Sequence, residues 1–179
     1  MIERRLLALS LLGVAGLLLP GHSPYTQWYA YRAKHLVVVT DDQRPGALAL
    51  AEAIASAVAA GWPQSKAVAA AAKSPVEAVR LLGSGQLQVA LVPAAFALDA
   101  LEGRGRFAGD GKLPLRAVAI LGEDLLVVLE TYARESARAL ARAVAESSSS
   151  GVAATRRTGR AAIPFHPGAL DYYERKPGA

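Results

Sequence analysis

The sequence predicts an α/β domain, with a mostly parallel sheet flanked by helices and an apolar N-terminal helix in front of it. Three observations carry that expectation. Strand-like and helix-like stretches alternate between Ser74 and Val128, the run Leu36 to Val39 is rich in β-branched residues, and Leu6 to Leu19 is apolar except for Ser10. At 179 residues, 53% of them hydrophobic, the chain has the size and composition of one domain with a proper core. An intrinsically disordered tail is excluded by the same numbers.

Residues 1–31 read as a targeting or anchoring segment. Arg4 and Arg5 precede the apolar run, and Pro20-Gly21-His22-Ser23-Pro24 breaks it, which is the layout of a secretory signal. The run is shorter than the roughly twenty residues that span a bilayer comfortably. No clear small-residue cleavage site follows; instead Trp28, Tyr29 and Tyr31 precede Arg32, an aromatic cluster of the kind found at membrane interfaces. Retention makes the segment an inner-membrane anchor with Trp28, Tyr29 and Tyr31 as its outer belt, two arginines in the cytoplasm and the body in the periplasm. Cleavage near Gly21 leaves a soluble exported body.

The body spans 35–146. After the buried strand Leu36–Val39, the turn Thr40-Asp41-Asp42-Gln43-Arg44-Pro45-Gly46 leads into an apolar helix over Ala47–Ala60, ended by Gly61 and Pro63. Val68–Ala71 is a weak second strand. Ser74 predicts an N-cap, Pro75 suits the first helical turn, and Glu77 completes a capping box by reaching back to the Ser74 amide. That helix carries Val76, Val79 and Leu82 on one face and stops at Gly83-Ser84-Gly85. Leu87, Val89 and Leu91 alternate along a third strand that Pro93 closes. A helix over Ala94–Leu101, a glycine-rich loop, two buried strands at Leu115–Leu121 and Leu125–Leu129, and a helix over Thr131–Glu146 follow. Ser147 to Gly151 opens a low-complexity linker, 147–162, ahead of a C-terminal helix within 163–176.

In an open α/β sheet the ligand crevice lies outside the carboxyl ends of the strands. Two loops meet that description. The first offers Thr40, Asp41, Asp42 and Arg44; the second offers Val92, Ala94 and Ala95, beside Pro93, with almost no side-chain donors. The plainer reading of Asp41 and Asp42 is a solvated turn with an N-cap.

The helix ending in LLGSGQLQVALV, the apolar segment after it, and GRGRFAGDGKLPLRAVAIL together resemble the TAXI family of TRAP-transporter solute-binding proteins. The C-terminal Ile163-Pro164-Phe165-His166-Pro167-Gly168-Ala169-Leu170-Asp171-Tyr172-Tyr173 is similar to the P-x-H-P-G-A-x-x-Y-Y ending of that family. The resemblance implies the first lobe of a periplasmic binding fold, a non-catalytic role, and a small organic anion as ligand. It also implies that Tyr172 or Tyr173 packs the terminal helix onto the lobe. This chain departs from the family in two ways. Asp41, Asp42 and Pro93-Ala94-Ala95 replace the family's small-residue and polar ligand loops, and one helix and a linker stand where a second lobe would be. A single lobe presents only an open shelf, whereas hinged binding proteins close two lobes around a solute.

Catalytic signatures fail on inspection. Gly103-Arg104-Gly105-Arg106-Phe107-Ala108 fits a dinucleotide pattern but follows a helix rather than a strand. Arg106 and Leu113 occupy positions that a phosphate-binding loop reserves for Gly and Ser or Thr. His22, His35 and His166 have no zinc spacing, and the chain has no cysteine. No cofactor or enzymatic activity is expected. Net charge is +5, with Arg134, Arg138 and Arg142 one turn apart on one helix. Such a stripe faces solvent, lipid phosphates or an acidic partner protein. Nucleic acid is an unsuitable target for an exported chain with no reader motif. The expected function is solute binding for a TRAP-type uptake system; the alternative is a membrane-anchored accessory subunit that uses the lobe as a docking scaffold in a membrane protein complex.

Overall fold

Strands apolar on both sides need cover above and below, and this chain supplies it from helices between the strands and from two more that follow the last one. A computed structural model describes residues 31–32, 34–147 and 162–175. In chain order it has β1 (Val37–Asp41), α1 (Ala47–Gly61), β2 (Val68–Ala72), α2 (Pro75–Gly83), β3 (Val89–Pro93), α3 (Ala94–Glu102), β4 (Leu115–Leu121), β5 (Asp124–Leu129), α4 (Arg134–Ala145) and α5 (Pro167–Tyr173). The expected apolar helix over residues 6–19 lies outside the described residues, as do Trp28, Tyr29 and most of the linker.

The strands form one sheet in the order β2-β1-β3-β5-β4. β1 runs parallel to β2 and β3, while β5 is antiparallel to both β3 and β4. The sheet is therefore mixed rather than mostly parallel. The cause is local: only Gly122 and Glu123 separate β4 from β5, too few residues for a crossover, and Gly122 takes the left-handed φ of 67° that such a turn needs.

Helices α1, α4 and α5 cover one face, where Ile54, Val58, Leu126, Leu140, Val144 and Tyr172 pack together. Helices α2 and α3 cover the other, around Val79, Leu82, Phe107, Leu115 and Val127. Phe107, from the loop read as glycine-rich, is fully buried; the short 3-10 turn Gly105–Phe107 is shaped to insert it.

Helix ends follow the sequence closely, with one change of partner. Ser74 caps α2 by accepting the Glu77 amide at 3.1 Å, but Glu77 Oε2 accepts the Lys73 amide at 2.6 Å, not that of Ser74. α4 starts at Arg134 rather than Thr131, because the Tyr132 amide donates to the Leu129 carbonyl and holds the chain in a turn.

The C-terminal strap closes the β4 edge. Ala117 donates to the Pro164 carbonyl and accepts from the His166 amide, at 2.9 and 2.8 Å. β4 carries an irregularity between Ala117 and Ala119, and the hydroxyl of Tyr173 donates to the Val118 carbonyl there at 2.9 Å. Burial pushes the Tyr173 phenol well above its ordinary value. His166 Nδ1 accepts the Gly168 amide at 3.1 Å, capping α5, and its Nε2 lies 3.0 Å from the Tyr132 carbonyl. This arrangement fits a proton on Nε2. Both tyrosines of the strap pack on the lobe, 5.4 Å apart edge to face, as the resemblance implied.

Candidate functional site: a shelf at the carboxyl ends of β1 and β3

Parallel strands β1 and β3 end side by side, so the loops that follow them lie on one rim of the sheet. Thr40, Asp41, Asp42 and Arg44 come from the first loop, Val92, Ala94 and Ala95 from the second. The β4–β5 turn adds Glu123 and Asp124 to the same rim, since Asp124 pairs with Pro93 across the β3–β5 ladder. These two acids escaped the sequence reading. The signal was present in the short connection between two apolar runs, which makes a hairpin and returns the chain to the end of β3.

Asp41 is fully buried and belongs to β1; it is neither a solvated turn residue nor a helix cap. Its carboxylate accepts the Arg44 amide at 3.0 Å and Arg44 Nε at 2.8 Å. Arg44 Nη1 then donates to Asp124 Oδ1 at 2.6 Å, tying the first loop to the β4–β5 turn. Gly46, with a φ of 79°, occupies the N-cap position of α1, so no side chain caps that helix.

Charge on the rim is unbalanced. Asp41 and Asp124 hold Arg44, and the same two turns carry the further carboxylates Asp42 and Glu123. Burial acts to lower the Arg44 pKa, but the hydrogen bond it donates to Asp41 and the charges of both partners outweigh it, and the guanidinium is held protonated more firmly than usual. Burial raises the Asp124 carboxyl above its ordinary range, and the neighbouring Asp41 and Glu123 charges add to this against the pull of Arg44. The pair is half enclosed, where the cost of removing charge from water competes with attraction.

Several donors on the shelf have internal acceptors. Thr40 Oγ1 donates to the Leu91 carbonyl at 2.9 Å. The Asp42 amide donates to Ala72, and the Ala94 amide to Glu123. Val92 is buried in the sheet, Ala94 is half-buried and Ala95 is exposed. Arg44 Nη2 is a buried nitrogen with no hydrogen-bond partner. The first loop and the second thus lie on one rim, with an ion-pair chain from Asp41 through Arg44 to Asp124 beside them.

The family comparison decides the class of this lobe. A model of the NMT1-like family, a periplasmic-binding-like family, matches residues 47–139, over half of the chain. The chain belongs to the NMT1-like family. The matched span of this NMT1-like protein runs from α1 into α4 and includes β3, β4, β5 and the β4–β5 turn. No curated protein matches the chain.

The remaining expected site residues of the NMT1-like chain lie elsewhere. Tyr31 is exposed. Arg134, Arg138 and Arg142 project from α4 opposite its buried Ala137, Leu140, Ala141 and Val144. Arg134 is held bidentately by Asp171 at 2.6 and 2.7 Å, binding that keeps the Asp171 carboxyl below its usual range. Arg138 and Arg142 line a shallow depression with Glu135 and Ala139, and Arg142 makes a long 3.5 Å bond to the Gly61 carbonyl. The stripe is thus partly committed to holding α5 and the end of α1.

A recess of about 340 Å³ opens at the opposite end of the sheet from the shelf. Leu87, Leu129, Thr131, Tyr132 and Ser136 are among its walls, and burial pushes the Tyr132 phenol up to about 12. Among the described residues no helix is long and apolar enough to cross a membrane, and no His, Cys, Asp and Glu cluster could hold a metal ion.

Proposed function

We propose that this NMT1-like chain is a non-catalytic solute-binding protein of the TAXI kind reduced to one lobe, working in the periplasm for a TRAP-type uptake system. The observation that supports this best is the sheet order with its two loops on one rim, in a chain whose family is periplasmic-binding-like. The C-terminal strap adds to it, because the family-like ending returns to pack on the same lobe. On this reading the shelf meets a small organic anion together with a second wall supplied by another chain. Thermal-shift titration of the purified protein against a panel of small carboxylates tests it. Stabilisation by at least one of them is expected, and a melting temperature indifferent to the whole panel sinks the reading.

A second reading is favoured by the shelf itself. Thr40, Ala94 and most of Arg44 are consumed internally, and carboxylates outnumber cations on the rim, which disfavours an anionic solute. On that reading the chain is a membrane-anchored accessory subunit, held by residues 1–31, that has kept the lobe as a docking scaffold in a membrane protein complex. Mild-detergent purification from native membranes is then expected to bring down a partner protein. A free monomer recovered under those conditions removes its basis.

A further inference from the structure

The two edges of the sheet are treated differently. The β4 edge has an irregularity, a strap bonded to Ala117 and a tyrosine hydroxyl on Val118. Among the described residues the β2 edge has none of these devices. Its sequence, Val68-Ala69-Ala70-Ala71-Ala72, contains no charge, no proline and no bulge, although natural edges are normally blunted by at least one of them.

Register fixes what this edge offers. β2 pairs with β1 in parallel, Val68 opposite Val37 through Ala72 opposite Asp41, with the Val68 amide on the Leu36 carbonyl and the Asp42 amide on the Ala72 carbonyl. Residues 68, 70 and 72 therefore direct their backbone groups inward, and residues 69, 71 and 73 direct theirs outward. Glu77 covers the Lys73 amide at 2.6 Å. Ala69 and Ala71 remain, each with an outward N–H and C=O, and Ala71 is exposed.

We propose that β2 pairs antiparallel with β2 of a second copy of this chain across a two-fold axis at Ala70, joining two five-stranded sheets into one. This goes beyond the function proposed above and does not depend on it. The register is self-complementary: Ala69 faces Ala71 of the other copy in both directions, giving a closed set of backbone bonds, and Ala70 faces its own counterpart. Val68 meets Ala72. Lys66 falls opposite Ser74 and Lys73 opposite Ala67, so no lysine faces a lysine. Methyl side chains along the strand leave nothing to clash, and α1, which lies over β1 and β2, exposes Leu48, Ala49, Ser56 and Ala60 with Glu52 as its charge. The contact is isologous, so it closes at a dimer rather than growing into a fibre.

The absence of cysteine from the chain permits a register-specific test on the full-length protein. In a non-hydrogen-bonded antiparallel pair the Cα atoms sit about 4.5 Å apart, within disulfide range. Ala70→Cys is expected to form a covalent dimer under mild oxidation, while Ala69→Cys and Ala71→Cys alone stay reduced. Sedimentation velocity should show a wild-type dimer. Ala71→Pro deletes an outward N–H that the internal ladder does not use, and should sediment as a folded monomer by circular dichroism. Ala71→Lys keeps the backbone intact and should do the same. The proposal is overturned by a wild-type monomer at every soluble concentration, by a dimer that neither Ala71 variant disturbs, or by cross-linking through position 69 or 71 in place of 70.

Discussion

Gly168 is the position where one added methyl group should matter most. A Cβ there would collide with the carbonyl oxygen of Arg134, lie 2.9 Å from that residue's carbonyl carbon and 3.1 Å from Ala137 Cβ. Two of these atoms are helix backbone, so no rotamer change relieves the contact; α5 must lift from α4. Overpacking of this kind costs about 1–3 kcal/mol, and the upper half applies where backbone must move. For a domain of this size each kcal/mol lowers Tm by about 2–4 °C, so Gly168→Ala is expected to melt roughly 4–12 °C below wild type. Gly109→Ala is the control, since nothing lies within 4 Å of its Cβ. Calorimetry on both variants checks the expectation. A Gly168→Ala protein melting within about a degree of the control would falsify the placement of α5 against α4.

Other outcomes follow from the same packing and pairing. Phe107→Ala empties a fully buried site and should cost about 3–5 kcal/mol in urea unfolding. Ser74→Ala removes the α2 cap and should cost about 1 kcal/mol by the same measurement. The two paired aspartates should leave opposite marks on stability against pH. Asp171, lowered by Arg134, stabilises the fold above the unfolded carboxyl pKa, and that support fades as pH falls through the lower folded value; Asp171→Asn should flatten this acid limb. Asp124, raised chiefly by burial, binds its proton more tightly folded than unfolded, so its contribution declines as pH rises from the unfolded toward the folded value. Asp124→Asn should remove that decline, and identical pH profiles for the variants and wild type would refute both assignments.

Local chemistry was legible where the deciding partners are neighbours in sequence. Ser74 and Pro75 placed the start of α2, Gly83 to Gly85 its end, and the Pro167 helix start was equally clear. The elements themselves fell close to their expected spans for the same reason. Strand direction was misjudged even though the two-residue connection at Gly122-Glu123 carried the answer. Asp41 was misread because its burial depends on Arg44, and through Arg44 on Asp124, a carboxylate 80 residues further along from that arginine. The pairing of Pro164 and His166 with Ala117 was invisible for a similar reason: no periodicity announces a strap that contributes one bridge. Phe107 shows the converse case, a large residue in a loop rich in glycine and charge whose insertion into the core only the packed fold reveals.

The strap across β4 has a consequence for biogenesis. A chain that emerges amino terminus first completes β1 through β5 well before residues 163–173 arrive, so the Ala117 backbone waits uncovered while later residues are still being made. During that interval Ala117 presents an unpaired backbone amide and carbonyl that the finished lobe covers. Variants slow to seat the His166 to Tyr173 stretch should therefore lose yield during production, even when the molecules that do mature are as durable as the parent.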